Sequence, residues 1–238
     1  MDDASRLAAV ARAAADQVTT GMTLGLGSGS TAEAVIRELG RRVANGLTIS
    51  GVPTSDRTAR LANEHRIPLL TLDEIDHLDL GIDGADEIAP SLDLVKGRGG
   101  ALLHEKLVAL ACRDYLVVAA AQKLVTRLGT RVPLPVEVVP FGSPHTAGRL
   151  AQLGCTPTLR REAGGTNEST SGIPVRSDGG HVIVDCAIDP IDDPAALATA
   201  IKAISGVVDH GFFLGVARRA LIVDDEGTVR ELRPVLPG

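Results

Sequence analysis

The sequence predicts an α/β protein: a mainly parallel sheet with helices on both faces, joined to a smaller domain of mixed helix and strand. Three observations carry this. Through the first half, short apolar runs alternate with amphipathic stretches of about ten residues, a pattern that requires crossover connections. Several of those runs end in glycine-rich or acid-rich turns, where sheets of this kind place their ligands. Near residue 130 the texture shifts to prolines and valines, which marks a second unit.

The elements follow in order. Leu7, Val10, Ala14 and Val18 recur at helical spacing, and Gly21 stops that helix. Met22 to Leu26 reads as a buried strand ending in glycines. A helix is expected from about Thr31 to Leu39, then a strand near Leu47 to Val52. Ser55 is placed to cap a helix reaching His65, with another strand near Pro68 to Leu70. Asp79 to Ile82 and Tyr115 to Ala120 are further strands, separated by a helix from Gly100 to about Cys112. The second unit opens with Pro133, Pro135 and Pro140 around Val136, Val138 and Val139. That reads as an edge strand, because proline cannot donate to a ladder.

A helix (Thr146 to Leu153), two strands (Thr156 to Arg160 and His181 to Cys186) and a helix (Pro194 to Ile204) complete the second unit. The polar stretch 162–180 reads as an exposed hairpin loop. Ala220 to Val223 and Thr228 to Leu232 are placed to rejoin the first sheet. The expected division is residues 1–130 with 207–238 as the main domain, and 131–206 as the smaller one.

Composition excludes some functions. The 24 Lys and Arg against 30 Asp and Glu leave a net charge of −6, without the basic footprint of a phosphate-gripping nucleic-acid binder. One Tyr, three Phe and no Trp provide no platform for stacking bases. Nucleic acid is therefore not expected as a partner. The apolar stretch Leu116 to Ala121 is far short of the ~18 residues of a membrane span. The acidic start, Met-Asp-Asp-Ala-Ser, is unlike a signal peptide. Three dispersed cysteines with no CxxC argue against a disulfide framework or a zinc ribbon. A cytoplasmic protein with no membrane partner is expected.

Three stretches carry chemistry. Gly25-Leu26-Gly27-Ser28-Gly29-Ser30-Thr31 joins a strand to a helix, so free N–H groups and a helix N-terminus favour an anion such as phosphate. A tight turn with a Ser/Thr cap would look the same; the run of hydroxyls favours the cradle. The dinucleotide fingerprint fails at Ser30, and the P-loop lysine is missing. Asp83-Gly84-Ala85-Asp86-Glu87 crowds three carboxylates at a strand end, which suits proton transfer or a magnesium ion, or else a solvated turn. Lys96-Gly97-Arg98-Gly99-Gly100-Ala101-Leu102-Leu103-His104-Glu105 runs through glycines into a helix. There Glu105 shares a face with Ala101, Leu102, Val108 and Ala109. A carboxylate on an apolar face is desolvated and becomes a useful base near neutral pH; one that snorkels to solvent or pairs with lysine does not. His104-Glu105 begins a zincin motif whose second histidine position holds Val108, so that reading fails. The other histidines show no ligand spacing, and Lys123 alone would be an ordinary lysine beyond a strand end.

Together, the motifs GSGST, DGADE, KGRGGA and the downstream glutamate resemble the A-type ribose-5-phosphate isomerases. The likeness runs through Pro133-Leu-Pro-Val-Glu-Val and resumes at Gly206-Val-Val and Gly211-Phe-Phe-Leu-Gly. The resemblance implies a Rossmann-like main domain with a smaller, ferredoxin-like lid, no cofactor and no metal, a sugar phosphate as substrate, and a homodimer or homotetramer. It places Ser28, Gly29, Ser30 and Thr31 in the substrate site, with Asp83, Gly84, Ala85, Asp86, Lys96, Gly97, Arg98 and Gly99 contributing. Glu105 is then the catalytic base, and Lys123 contacts substrate. Departures from the usual pattern are Ser28 in place of threonine, Arg98 in place of glycine, Arg6 without a lysine on the first helix, and a long 162–180 loop.

Interconverting an aldose and a ketose phosphate moves one proton between C1 and C2 through an enediolate, and one base serves both steps. Lys96 is the expected stabiliser of the developing oxyanion. Asp83 is expected to shuttle protons to the sugar oxygens, and Asp86 to orient it or bind hydroxyls. A sugar-phosphate sensor would keep the cradle without the proton-transfer set; a nucleotide-binding oxidoreductase would need the broken fingerprint. The enzyme reading accounts for all the motifs.

Overall fold

The computed structural model describes residues 2–162 and 172–235. The centre of the expected 162–180 loop lies outside the described residues. Along the first half, the chain forms α1 (Asp3–Ala15), β1 (Thr23–Leu26), α2 (Ser30–Ala44), β2 (Ser50–Pro53), α3 (Asp56–Glu64) and β3 (Leu78–Asp83). Ser55 caps α3 as expected, its Oγ accepting from the Thr58 N–H at 3.1 Å. Next come β4 (Glu87–Ile88), β5 (Leu94–Val95), α4 (Leu102–Ala111) and β6 (Cys112–Ala120). The remainder is β7 (Leu134–Val138), α5 (Ser143–Ala151), β8 (Thr156–Leu159), β9 (Val182–Ala187), α6 (Pro194–Lys202), β10 (Val207–His210), β11 (Phe212–Phe213), β12 (Arg219–Val223) and β13 (Val229–Leu232).

The large sheet has the order β13-β12-β6-β3-β1-β2 and is parallel except for β13. Alternation along its strands splits the core into two. Leu24, Leu26, Leu80, Ile82, Leu116 and Val118 face α1 and α2, while Tyr115, Val117, Ala220 and Ile222 face the other way. Helix α4 packs on that second side, against β3 and β6. Helices thus cover both faces, and the tail strands rejoin this sheet as expected. No helix among the described residues is long and apolar enough to cross a membrane.

The small sheet, β10-β7-β9-β8, is antiparallel and carries α5 and α6 over its own core of Val136, Val138, Leu150, Val184 and Ile201. Strand β7 is therefore interior rather than the edge strand that its prolines suggest. Register explains the tolerance. β10 pairs only with Val136 to Val138, so the missing Pro135 N–H falls beyond its end, where the Pro135 carbonyl instead accepts from Gly211 N–H at 2.7 Å. A second correction concerns Pro68 to Leu70, which forms a single bridge from Leu69 to Gly51 rather than a strand. Pro68 has no N–H to give, and the chain turns at once into a short 3₁₀ segment.

A third sheet, β11-β5-β4, is built from three two-residue strands that the sequence reading missed. Such strands are too short to show periodicity. They nevertheless decide where two of the expected site residues stand.

Candidate active site

The chain moves from β1 to β2 in one direction and returns past β1 to β3, so β1 and β3 flank the point where strand order reverses. Loops diverge there and leave a crevice at the strands' carboxyl ends. A cavity of about 340 Å³ occupies it, lined by Ser28, Gly29, Ser30 and Thr31 after β1, and by Gly84, Ala85 and Asp86 after β3. Lys96, Gly97, Arg98 and Gly99 after β5, Glu105 on α4 and Lys123 beyond β6 complete the wall. The structure brings together residues from all three sequence motifs, together with Lys123.

The first loop enters α2 through Gly29, whose φ of +87° is a left-handed conformation that side chains resist. Among the described residues no side chain caps α2, so the turn-with-cap alternative is not what forms, and the N–H groups of its first turn lack side-chain acceptors there. Ser28 is used internally. Its N–H donates to Asp83 Oδ1 at 3.1 Å, and its hydroxyl lies 2.8, 2.9 and 3.1 Å from those of Thr54, Ser55 and Thr58. Among the described residues, the hydroxyls of Ser30 and Thr31 and the ammonium of Lys123 make no hydrogen bond or ion pair, which leaves them to the cavity. Arg6, paired with Asp3 and Asp225, lines an adjoining hollow that shares Ser30, Thr31, Ala85 and Lys123 with the cavity.

Asp83 lies beneath the cavity wall, only 1% exposed. One oxygen accepts from the N–H groups of Ser28 and Gly84; the other meets the Tyr115 hydroxyl at 3.2 Å and Lys96 Nζ at 3.0 Å. Both of its oxygens are thus engaged, and the carboxylate is held against the Lys96 ammonium. Gly27 permits this closeness, since a Cβ there would overlap the Asp83 carboxylate. Asp86 does reach the cavity, its Oδ2 accepting from Arg98 N–H at 3.0 Å. Glu87 turns away. It is fully buried and accepts from the N–H groups of Gly129, Arg131 and Val132. Among the described residues, no group of three His, Cys, Asp or Glu is arranged to hold a metal.

The missed third sheet places Lys96. Asp86 N–H bonds the Val95 carbonyl at 2.8 Å, and Lys96 N–H bonds the Gly211 carbonyl at 2.8 Å. The Lys96 ammonium donates to the Gly84 carbonyl at 2.6 Å and lies 5.6 Å from the centre of the Phe213 ring. Burial works against its charge, but Asp83 and Glu105 raise its pKa above the ordinary lysine value.

Glu105 is buried together with Leu102, Val108 and Ala109, the apolar face expected of α4. Its Oε1 is 3.6 Å from Lys96 Nζ, while Oε2 is buried with no hydrogen-bond partner among the described residues. Burial is the main influence on its pKa, pushing it up to about 8; Lys96 pulls against this and Asp83 adds to it. A desolvated carboxyl with one bare oxygen, titrating near neutral pH, is fitted to take up and return a proton. The arrangement offers a base, a buried cation opposite it, a carboxylate for hydroxyls, and an anion-favouring helix start.

Comparison with known proteins gives a consistent picture. A profile of the family described as ribose 5-phosphate isomerase A (phosphoriboisomerase A) matches residues 50–227. The chain is 51% identical over 231 residues to the ribose-5-phosphate isomerase A of Roseiflexus sp. (strain RS-1), covering 96% of each. It is 48% identical to that of Parvibaculum lavamentivorans, covering 95% of this chain and 96% of the relative. A solved D-ribose-5-phosphate isomerase in complex with phospho-erythronic acid superimposes with a TM-score of 0.91 at 34% identity, over 98% of this chain and 100% of that one. The ribose 5-phosphate isomerase A of Methanocaldococcus jannaschii gives 0.89 at 36% identity, over the same shares.

Proposed function

The chain belongs to the ribose 5-phosphate isomerase A family, and from that premise we propose how its residues carry out the reaction. The enzyme is an isomerase interconverting ribose 5-phosphate and ribulose 5-phosphate, a step of the pentose phosphate pathway. In our reading, Glu105 removes the proton from C2 of the open-chain aldose and returns it to C1. The observation that carries this is a buried carboxyl whose Oε1 lies 3.6 Å from Lys96 Nζ while its Oε2 is bare.

As the proton leaves C2, negative charge gathers on the C1 oxygen, where the Lys96 ammonium is in place to meet it. The C2 hydroxyl proton then passes to the C1 oxygen, and return of the carbon-bound proton to C1 leaves the C2 carbonyl of the ketose. Asp83 acts through Lys96, holding the ammonium and keeping it charged. Asp86 takes sugar hydroxyls. The phosphate, remote from the bonds that change, is read as seated at Ser30, Thr31 and Lys123 with Gly29 backbone. Its binding energy positions C1 and C2 against Glu105. No cofactor or metal enters this scheme.

The small sheet is read as a lid over this site, and the working form as a homodimer or homotetramer. Leu110, 66% exposed on α4, and Phe141, 94% exposed after β7, are apolar side chains that another copy would cover. A reducing, cytoplasmic setting fits three cysteines that are all free. The decisive experiment follows ketose formation from ribose 5-phosphate with EDTA present. Full activity is expected; loss on chelation with rescue by magnesium would move the reaction to a metal-assisted class.

A further inference from the structure

Arg160 stands just past the end of β8 in the small sheet, outside every motif discussed above. Its guanidinium forks onto Asp185 of β9, with Nε 2.8 Å from Oδ2 and Nη2 on Oδ1. A two-point pair of this kind fixes the guanidinium plane. The remaining nitrogen, Nη1, crosses to the cavity loop and donates to the carbonyls of Gly97 at 3.1 Å and Arg98 at 2.8 Å.

Each of those carbonyls belongs to a flat trans peptide whose N–H points the opposite way. The first N–H, on Arg98, is the one that Asp86 Oδ2 accepts. The second is on Gly99, which lines the cavity and whose N–H has no partner among the described residues. A cation on a carbonyl polarises the peptide and strengthens the bond its N–H makes on the far side. Two polarised peptides therefore connect Asp185 and Arg160 to the cavity.

We propose that Arg160, clamped by Asp185, is a positioning residue for the isomerisation: it orients the 97–98 and 98–99 peptides so that one holds Asp86 and the other offers the Gly99 N–H to a substrate oxygen as charge develops there. This rests on the reading of the cavity as the isomerase site. The competing role is a plain tie between the two sheets, which would make Arg160 matter for stability alone.

The test compares Arg160→Met, Arg160→Lys and Asp185→Asn with the unaltered full chain. Turnover and KM for ribose 5-phosphate are measured, with melting curves and calorimetric titrations of phospho-erythronic acid and inorganic phosphate. Phospho-erythronic acid carries a carboxylate where the enediolate carries its two oxygens, so it reports on the part of the cavity that Arg160 serves. Arg160→Met is expected to lower kcat by about 10- to 100-fold, the kinetic equivalent of one charge-assisted hydrogen bond, with KM within ~3-fold. Phospho-erythronic acid should weaken by a similar factor and inorganic phosphate by less than ~2-fold, because only the former has oxygens at the reacting end. Arg160→Lys should restore part of kcat.

If Arg160→Met does not fold, Asp185→Asn, which releases the fork while keeping its shape, must show the same pattern in smaller degree. A folded Arg160→Met with kcat within ~2-fold of the parent would overturn the proposal, since kcat reads transition-state contacts. So would parallel weakening of both ligands, or failure of both variants to fold. An unaltered chain inactive on ribose 5-phosphate would instead overturn the functional reading itself.

Discussion

Lys96 Nζ stands 3.0 Å from Asp83 Oδ2 and 3.6 Å from Glu105 Oε1, so one buried ammonium serves two carboxylates in unlike settings. Asp83 is surrounded by donors: two backbone N–H groups, a tyrosine hydroxyl and the lysine itself. Glu105 has the lysine on one oxygen and nothing on the other. Environments that treat two carboxyls so differently suit them to different tasks, and our proposal gives the fixed charge to Asp83 and the proton to Glu105.

Replacing that carrier is the sharpest test. Glu105→Gln keeps size and polarity but cannot accept a proton, so turnover should fall by ~10²–10⁴-fold with ribose 5-phosphate binding largely kept. Steady-state kinetics and calorimetry on the same preparation decide it; near-normal turnover would sink the assignment.

The pH dependence follows from the raised pKa of Glu105, about 8 in the folded protein. The base must be ionised to act, so kcat/KM should climb as pH rises through that value and then level. Stability should move the opposite way. The folded state holds this proton more tightly than the unfolded chain, so the contribution is present below the ordinary carboxyl pKa of 4.5 and lost as pH rises through about 8. Glu105→Gln removes this titration, so its melting temperature should gain on the parent more at pH 9 than at pH 5. A constant difference across that range would contradict the placing of Glu105 in a desolvated site.

Gly211 offers a test of Lys96 that leaves the lysine untouched. A Cβ at Gly211 would overlap the Lys96 carbonyl and come within 2.9 Å of Pro135 Cδ. Gly211→Ala should therefore shift the Lys96 backbone, costing ~1–3 kcal/mol of stability as overpacking. Activity should fall further than that suggests, by up to ~10²-fold, because catalysis is sensitive to displacements of about 1 Å. Melting curves and turnover compared in one variant separate the two effects.

At the phosphate end, Ser30→Ala and Gly29→Val should differ. The Ser30 hydroxyl makes no hydrogen bond among the described residues, so its loss costs binding at most ~1.5–3 kcal/mol, the worth of one hydrogen bond to a charged group. A side chain at Gly29 meets no protein atom but stands at a φ of +87°, and it would crowd an anion approaching the backbone. Gly29→Val should weaken ribose 5-phosphate more than Ser30→Ala does, with both proteins folded and unphosphorylated ribose a poor ligand throughout. Calorimetric titration with both sugars checks this; equal affinity for ribose and its phosphate would show the loop to be only a turn.

Where the chemistry is local, the sequence showed it. The strand-glycine-helix run around Gly27, the carboxylates after β3 and the apolar face around Glu105 each depend on neighbours within a few positions. Placement across long stretches of chain was not legible. Lys96 is held from Gly211, Asp83 from Tyr115, and the cavity loop from Arg160, all contacts between residues far apart in sequence. The two-residue strands that make the first of these contacts are too short to leave a periodic signal, and Pro135 misled because its position in the register cancels the cost of its missing donor. Glu87 shows the converse: three carboxylates adjacent in the chain need not share a site.

That carboxylate has a bearing on protein engineering. Glu87 sits next to Asp86 in the same short motif, yet among the described residues the hydrogen bonds of its carboxylate come from the 129–132 segment that leads from the large sheet into the small one. A chimera that transplanted the DGADE motif into another parallel sheet would bring along a buried anion without its donors. A circular permutant opened within 129–132 would leave the same charge buried on β4 with its donors disturbed. The turn after β3 and the crossover to the small sheet are therefore coupled through one carboxylate, and grafts should take them together or substitute Glu87 when they do not.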